Sequence, residues 1–474
     1  MKLSELLPDE FFLSPRAPSL EVHGVASHTD EVKEGDLFVC KKGLRFDPSF
    51  LLSTVEKKGA VAIISEEDAP PTPLHIPFYK VRDAREAEAT LLRRFYRWSE
   101  GTPKLIGVTG TNGKTSTAWM IRHVLKESGV SCGYIGTLGV FSNEGRLPQF
   151  SEEGATTPPP ALLFPALAHL RDSGAEAIVM EVSSHALDQK RVFGLSFDVG
   201  VFTNLTEDHL DYHHTMDNYF KAKCLLFEQT KQAVINLDDP YGKKLFSLLS
   251  CPKAGCGVIE SAPYSVVDLN ETEEKSTKYR CVTPYTQFSV SYPLRGSFNV
   301  YNTLLATTVA LLYGLCPEEV RLALSSLSPI PGRFERLPLS APFSVIIDYA
   351  HTPDAMEQAI KAARKITKGR LIALFGAGGE REKEKRSIMG QVAERLADFC
   401  IVTTDNPRGE RQSAIFTDIL SGMRNKEKRL VISDRKQAIQ TALSQLKEGD
   451  TLLLLGKGHE EYLITQEGKR YFSE

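Results

Sequence analysis

The stretch GVTGTNGKTST, residues 107–117, joins the apolar run KLIGVTG to the helical pattern KTSTAWMIRHVLKESG. A strand, a glycine-rich turn and a helix start form the context in which backbone N–H groups and a helix N-terminus cradle phosphate. Lys114 would offset charge on β- and γ-phosphates, and the Thr115 hydroxyl would reach Mg²⁺. Gly110, Thr111, Asn112, Gly113 and Ser116 complete the loop. The spacing GxxxxGK[ST] is not met, because Val108 stands at its first glycine; Gly107, Gly110 and Gly113 recur every third residue instead. The competing reading is a flexible strand-to-helix turn with a surface lysine.

Three further segments carry groups suited to metal or phosphate. VMEVSSHAL sets Glu181 at the end of an apolar run, followed by Ser183, Ser184 and His185. An acid at the carboxyl end of a sheet strand is well placed for Mg²⁺, and an acid near a helix N-cap has the same local pattern. TNLTEDHLDYHH spaces His209 and His213 four apart. That spacing invites zinc, but HExxH is absent and no third ligand is evident, so a histidine near nucleotide-bound Mg²⁺ or a structural histidine competes with it. In MDNYFKAKCLLFEQ, Tyr219, Phe220, Leu226 and Phe227 share one helical face with Lys223 at its centre, while Lys221 points away. A lysine there must snorkel, pair or lose its charge. Reaction with carbon dioxide would turn it into a carbamate, an anion with two hard oxygens for Mg²⁺.

TTDNPRGE, residues 403–410, ends the apolar run FCIVTT. Pro407 and Gly409 give it turn chemistry. It also puts a carboxylate (Asp405), an amide (Asn406) and a guanidinium (Arg408) within four residues, enough to read a ligand carrying both charges.

The elements that must position these groups alternate. KLIGVTG, AEAIVMEVSS, DVGVFTNL and QAVINLD are apolar and β-branched with helical stretches between them, which predicts a doubly wound parallel sheet. Residues 258–298 read as a small antiparallel addition, and SPIPGRFE as a linker. A second α/β series then runs through FSVIIDYAHT, GRLIALFGAG, FCIVTTDN, KRLVISD and DTLLLLGKG. The first 100 residues are a smaller mixed α/β segment. The expectation is an α/β protein of three domains, 1–100, 101–330 and 331–474, with a ligand between the later two. With 42% hydrophobic and 25% charged residues and a net charge of −3, nucleic acid and anionic membrane are not expected as main partners. No apolar run approaches the ~20 residues of a membrane span, and the N-terminus lacks a secretory h-region. The eight cysteines form no CxxC and are expected as buried thiols in a cytoplasmic protein.

Taken together, TGTNGKTST, EVSSHAL, TNLTEDHLDYH, GSFNVYNTLLA, PGRFE, DYAHTPDA and GKGHEEY resemble the Mur ligase family, the ATP-dependent amide-forming enzymes of peptidoglycan synthesis, over about 100–474. Within it the chain is similar to the members that add meso-diaminopimelate to UDP-MurNAc-L-Ala-D-Glu. The resemblance implies an N-terminal uridine-nucleotide domain, a central P-loop ATPase and a C-terminal Rossmann-like domain. It implies that Lys114 and Thr115 hold ATP phosphates and one Mg²⁺ with Glu181, and that His209 and carbamylated Lys223 serve a second Mg²⁺. Asn302 would contact adenine, Asp348 the ribose and Arg333 the nucleotide. Thr156, Thr157, Ser184, Gln189 and Arg191 would bind the muramoyl-dipeptide, and Arg381, Asp405, Asn406, Arg408, Gly456 and Glu460 the diaminopimelate. A monomer acting on small molecules is expected.

The N-terminal segment departs from the family pattern. Thr29, in SHTDEVKEGDLFV, stands at the serine of a DSR-like motif, keeping a hydroxyl for uracil. In GLRFDPSF, Pro48 stands where glycine is usual. EKEKRSIMG has Ser387 where proline is common, and the lysines and glutamates around it are expected on a solvated helical face. Competing readings are a folylpolyglutamate synthetase-like ligase, a lysine-adding ligase, and a P-loop kinase or regulatory NTPase. A non-enzymatic nucleotide-binding scaffold is a further alternative.

Overall fold

The structure is a computed structural model of the chain. It describes residues 1–14, 19–43, 47–99, 101, 103–151, 154–271 and 276–474. Part of the GLRFDPSF loop (44–46) and the expected first domain end at Glu100 lie outside the described residues. The chain divides into two compact units. One comprises Met1–Thr109, Gly129–Gly200 and Ala222–Ala233; the other comprises Gly110–Ser128, Val201–Lys221 and Val234–Glu474.

In the first unit, β1 (Gly24–Ala26), β2 (Asp36–Cys40), β3 (Ala62–Ser65) and β4 (Phe78–Lys80) form a parallel sheet in that order. β2 and β3 are buried throughout, as strands covered on both faces must be. One apolar cluster includes Leu3, Leu6 and Leu91, and another includes Leu52 and Val55. The helix Ala84–Phe95 starts where Asp83 accepts from the N–H groups of Arg85 and Glu86, both at 2.9 Å. Further along run β5 (Lys104–Thr109), β6 (Cys132–Gly136), β7 (Gly139–Phe141), β8 (Ala177–Glu181) and β9 (Phe197–Phe202). β8 lies parallel between β5 and β6, with β7 antiparallel on β6. Glu181, the last residue of β8, is level with Val108, so the acid stands at the carboxyl end of the strand pair.

The chain returns to the second unit for its remaining length within β10 (Thr230–Asn236). β11 (Lys253–Gly257) pairs parallel with β12 (Tyr264–Glu271), and β13 (Thr277–Val282) and β14 (Gln287–Tyr292) extend it as an antiparallel meander. The helix Lys114–Glu127 packs against the helix Ser297–Tyr313.

The last sheet combines β15 (Glu335–Arg336), β16 (Ser344–Asp348), β17 (Leu371–Phe375), β18 (Phe399–Val402), β19 (Arg429–Val431) and β20 (Thr451–Leu455). Their order is β15-β16-β20-β17-β18-β19, parallel except at β15. Separate apolar clusters, one with Met356, Ile360 and Met389 and another with Ala438 and Ala442, pack on this sheet. Continuous burial explains why LIALF and TLLLL are unbroken apolar runs. Because β20 inserts between β16 and β17, loops from distant parts of the chain leave one sheet end together, where α/β sheets take ligands. A hairpin of β21 (Tyr462–Thr465) and β22 (Gly468–Tyr471) follows.

The expected solvated face around Ser387 is corrected in part. Lys383 and Glu384 are exposed, but Glu382 is buried, Lys385 is 14% exposed and Arg386 is fully buried. The two cations turn inward because carboxylates on other segments meet them: Asp208 for Lys385, and Glu410 and Asp418 for Arg386.

Candidate functional site

The glycine-rich loop leaves β5 and is braced by the segment 203–206 of the second unit. Thr111 N–H donates to Asn204 O and Asn112 N–H to Asn204 Oδ1, each at 2.9 Å. Thr203 Oγ1 donates to Asn112 O at 2.6 Å. Gly110 has φ +145°, and a Cβ there would stand 1.9 Å from Thr203 Oγ1, so no other residue fits. Lys114 begins the helix and folds back, its Nζ 3.0 Å from Gly110 O and 2.9 Å from Thr111 O. A cation thus lies over the loop at the positive end of a helix dipole, an anion-binding arrangement.

Asn302 lies against this loop, its Oδ1 accepting from Thr117 Oγ1 at 3.1 Å. Arg333 donates from Nη2 to Thr115 Oγ1 at 2.8 Å and stacks over the Tyr349 ring, 4.5 Å from its centroid. Its buried Nε has no hydrogen-bond partner among the described residues. Asp348 accepts from the Phe334 and Ala350 N–H groups at 2.7 and 2.8 Å, tying the PGRFE linker to the end of β16. Burial raises its pKa, against the pull of Arg333 and those N–H groups. Ser116 is buried in the first turn of the helix.

In the first unit Glu181 is fully buried; its carboxylate accepts from Tyr134 Oη, Thr137 N–H (2.8 Å) and Thr137 Oγ1 (3.1 Å). Thr157 Oγ1 donates to Glu181 O at 2.9 Å and accepts from Ser183 N–H at 3.0 Å. Arg191 holds Thr157 O at 2.6 Å and Gln189 Oε1 at 2.8 Å, and Ser184 opens the following helical turn. Thr156 meets Thr137 by a hydroxyl contact of 3.3 Å. The muramoyl-dipeptide candidates Thr156, Thr157, Ser184, Gln189 and Arg191 therefore cluster with Glu181. Thr29 is half-buried in a separate part of the sequence, its carbonyl accepting from Lys58 Nζ at 2.8 Å.

Lys223 is 1% exposed on the helix Met216–Glu228, whereas Lys221 is 70% exposed and pairs with Asp217 at 2.8 Å. His209 and His213 bracket a four-residue helical turn: His209 caps it at φ +57°, and His213 ends it, stacked 4.9 Å from Tyr219. His209 Nε2 lies 3.3 Å from Asp208 Oδ2, and Lys385 Nζ lies 3.2 Å from Asp208 Oδ1. Burial alone would raise the Asp208 pKa; His209 and Lys385 outweigh it and hold the carboxyl well below the usual range. Among the described residues, no group of three His, Cys, Asp or Glu side chains forms a metal cluster.

Four loops gather at the carboxyl ends of β16, β17, β18 and β20. Asp405 and Asn406 are buried after β18, and Arg408 follows in the left-handed region at φ +52°. Arg408 Nη1 donates to Gly379 O at 2.8 Å. A Cβ on Gly378 would stand 3.1 Å from that nitrogen and 3.6 Å from Arg381 Cγ, so the two arginines flank one glycine. Burial, and then the charge of Arg381, lower the Arg408 pKa. Neighbouring cations of this kind make an anion seat. Gly456 has φ +107°, and a Cβ there would lie 2.6 Å from Asp405 Oδ2. Glu460 accepts from Asn406 Nδ2 at 2.8 Å.

Several supporting residues escape a sequence reading. Tyr134 and Thr137, which hold Glu181, lack any local motif. Arg386 forks onto Glu410 with two 2.7 Å bonds and also holds Asp418 (2.8 Å) and Gly378 O (3.1 Å). Arg435, 2% exposed, donates to Thr404 O at 3.2 Å and Leu455 O at 2.9 Å, joining the ends of β18 and β20. Lys457 was visible only as the lysine of GKGHE; it is fully buried.

Two family descriptions match in tandem: "Mur ligase middle domain" over residues 108–310 and "Mur ligase, glutamate ligase domain" over residues 332–458. The UDP-N-acetylmuramoyl-L-alanyl-D-glutamate--2,6-diaminopimelate ligase of Syntrophomonas wolfei is 37% identical over 475 residues, covering 98% of this chain and 96% of that protein. The enzyme of the same name from Aquifex aeolicus is 39% identical, covering 96% and 92%. The chain belongs to the Mur ligase family. A solved structure of a UDP-N-acetylmuramoyl-L-alanyl-D-glutamate--2,6-diaminopimelate ligase has a TM-score of 0.69 at 29% identity, covering 100% of this chain and 96% of the other. A Mycobacterium tuberculosis folylpolyglutamate synthase has a TM-score of 0.65 at 18% identity and covers 78% of this chain, a likeness of fold alone.

Proposed function

We propose that this protein is an ATP-dependent ligase that joins meso-diaminopimelate to the D-Glu γ-carboxylate of UDP-MurNAc-L-Ala-D-Glu, releasing ADP and phosphate, in peptidoglycan precursor synthesis. The observation that carries the amino-acid assignment is the pair of arginines, Arg381 and Arg408, beside the carboxylate of Asp405 at one sheet end. Such a site suits an acceptor with a carboxylate at its far end as well as an amine. The relatives of that name, matched over nearly the full length, support the same assignment.

In this reading residues 1–100 hold the uridine nucleotide with Thr29, residues 101–330 form the ATPase, and residues 331–474 bind the amino acid. Gly110 to Ser116 wrap the ATP phosphates, with Lys114 swinging from the loop carbonyls onto them; Asn302, Arg333 and Asp348 serve adenosine. Thr156, Thr157, Ser184, Gln189 and Arg191 present the dipeptide. A carboxylate oxygen of the dipeptide attacks the γ-phosphorus and ADP leaves, giving an acyl phosphate. The neutral amine of diaminopimelate then attacks the acyl carbon, loses its proton, and phosphate departs. Lys114 offsets the crowding of negative charge in the first step.

Of the residues proposed for Mg²⁺, the hydroxyl of Thr115 and the carboxylate of Glu181 each offer the hard oxygen that suits it, while the imidazole of His209 is a softer donor. Lys223, buried on an apolar face, completes the donor set if its neutral amine adds to carbon dioxide and loses a proton. When bound, two Mg²⁺ ions would supply charge neutralisation for the phosphoryl transfer. We read the protein as a cytoplasmic monomer; among the described residues no helix is long and apolar enough to cross a membrane.

The test is phosphate release from ATP with UDP-MurNAc-L-Ala-D-Glu and either meso-diaminopimelate or L-lysine. Release should require both the nucleotide and the amino acid and should favour diaminopimelate. Lysine would leave the arginines without a distal carboxylate, a loss worth several powers of ten at a site built for one. Equal or faster release with lysine overturns the assignment, and release without any amino acid points to a plain NTPase.

A further inference from the structure

We propose that Lys190 is a positioning residue for the nucleotide-linked substrate: it ties the turn carrying Gln189 and Arg191 to the helix Ala84–Phe95, so that the seats for the two ends of one molecule keep a fixed separation. This inference rests on the reading that residues 1–100 hold the uridine end and that Gln189 and Arg191 hold the dipeptide end.

The helix Ser184–Asp188 closes with Lys190 N–H on Leu187 O at 3.0 Å and Arg191 N–H on Ala186 O at 2.8 Å. That pair of bonds is the Schellman ending, which needs a left-handed residue and favours glycine. Lys190 fills it at φ +58°, a conformation strained for any residue with a Cβ. Such strain persists where surrounding contacts hold it, and here those contacts are ionic. Lys190 Nζ lies 3.1 Å from Asp83 Oδ2 and hydrogen-bonds Glu86 Oε1. Asp83 uses its other oxygen, Oδ1, to cap the helix through the N–H groups of Arg85 and Glu86. A cation at a helix N-terminus meets the positive end of the dipole, and the two carboxylates offset that repulsion. Burial would lower the Lys190 pKa; the bonds and charges of Glu86 and Asp83 outweigh it and raise it.

The left-handed residue divides the turn between two sets of partners. Arg191 reaches Thr157 O at 2.6 Å and Gln189 Oε1 at 2.8 Å, in the cluster around Glu181. Lys190 reaches instead to Glu86, 104 positions earlier in the chain. The other end of the same helix is held by Arg171, whose Nη1 donates to Tyr96 O at 3.2 Å and Arg97 O at 2.7 Å. The helix is thus pinned once through backbone carbonyls and once through charge. Removing Lys190 frees one end and leaves the Arg171 end in place, so both seats persist while their spacing loosens. A ligand that fills two seats on one rigid body gains an effective-concentration advantage that neither of its halves enjoys. The loss therefore falls on the intact substrate and spares its fragments.

The experiment uses the full chain and phosphate release with ATP and diaminopimelate saturating. In Lys190→Met and Lys190→Gly the KM for UDP-MurNAc-L-Ala-D-Glu should rise about tenfold, the loss of one paired charge and of the linkage it maintains, with kcat within about twofold. The competitive inhibition constants of UDP and of MurNAc-L-Ala-D-Glu, each one end of the substrate, should stay within about twofold of wild type. Lys190→Gly relieves the left-handed strain and should melt above Lys190→Met, yet share its raised KM. Lys190→Glu sets three carboxylates together and should raise the KM further; Lys190→Glu/Glu86→Lys, which exchanges the two charges, should recover most of it. The inference is overturned if Lys190→Met leaves the nucleotide KM unchanged, if inhibition by the two fragments weakens in step with that KM, if Lys190→Gly matches wild type, or if the exchanged pair recovers nothing. A wild-type protein inhibited competitively by neither fragment refutes the parent reading instead, so the two failures are distinguishable.

Discussion

Replacing Arg386 with methionine removes a guanidinium that is fully buried and holds Glu410, Asp418 and the Gly378 carbonyl. Asp418 is 38% exposed and rehydrates, so the penalty falls on Glu410, 14% exposed, and on the orphaned carbonyl. The hydrogen bonds from Arg386 are the largest cause holding the Glu410 carboxyl at about 2, against its ordinary 4.5. That depression corresponds to about 3 kcal/mol, reduced to roughly 2 by solvent screening. The unpaired carbonyl adds about 1 kcal/mol, so Arg386→Met should cost about 3 kcal/mol. Because the folded pKa is depressed, this stabilisation is present above pH 4.5 and is lost as pH falls towards 2; the wild type should therefore lose its lead over the variant as pH falls through that window. Trp98 and Trp119, the two tryptophans, both lie outside 332–474, so tryptophan fluorescence is the wrong probe. Hydrogen exchange of peptides spanning 371–410 reads the change directly. Arg386→Met/Glu410→Gln should recover at least half of the loss, since removing both partners strands no charge. A single variant within about 1 kcal/mol of wild type, or a double variant no more stable than the single, refutes the reasoning.

Three further variants, in two tests, probe other links. Lys223→Ala should reduce turnover by at least about a thousandfold, in line with the loss of a metal-ion contribution, with partial recovery on adding a short-chain carboxylate; unaided turnover near wild type would remove Lys223 from the chemistry. Gly456→Ala forces a Cβ to 2.6 Å from Asp405 Oδ2 at φ +107°, whereas Gly468→Ala, at φ +115° with nothing within 4 Å, carries only the backbone strain. Both should lose about 1 kcal/mol in denaturant titrations, but only Gly456→Ala should raise the KM for diaminopimelate; equal kinetics for the two would dismiss the close approach.

The strand–loop–helix build of residues 104–117 was legible because strand, glycines and helix start are contiguous, and every group that forms the loop except the 203–206 brace lies close by in sequence. Lys223 was legible from periodicity alone: a lysine in the centre of an apolar helical face is buried, and its neighbour two residues earlier is not. Asp405, Asn406 and Arg408 were visible as a cluster of charges, but their division of labour was not. Arg408 donates to Gly379 O, and Asn406 serves Lys457. Such pairings join residues about 30 to 50 positions apart, which no local pattern encodes. Arg386 shows the same limit. A helix start rich in Glu and Lys looks solvated until the partners on the next helix and loop are placed in space.

Arg435 grips Thr404 and Leu455 only through their backbone carbonyls. Every residue type carries that same acceptor. The frame beneath the loops after β18 and β20 is therefore indifferent to their side chains, while remaining strict about where each strand ends. If these loops choose the amino acid as proposed, substitutions that retune that choice can accumulate in them without dismantling the support, and insertions or deletions cannot. The site is divided between a part free to vary and a part held constant, and new acceptor preferences have a route to arise one residue at a time.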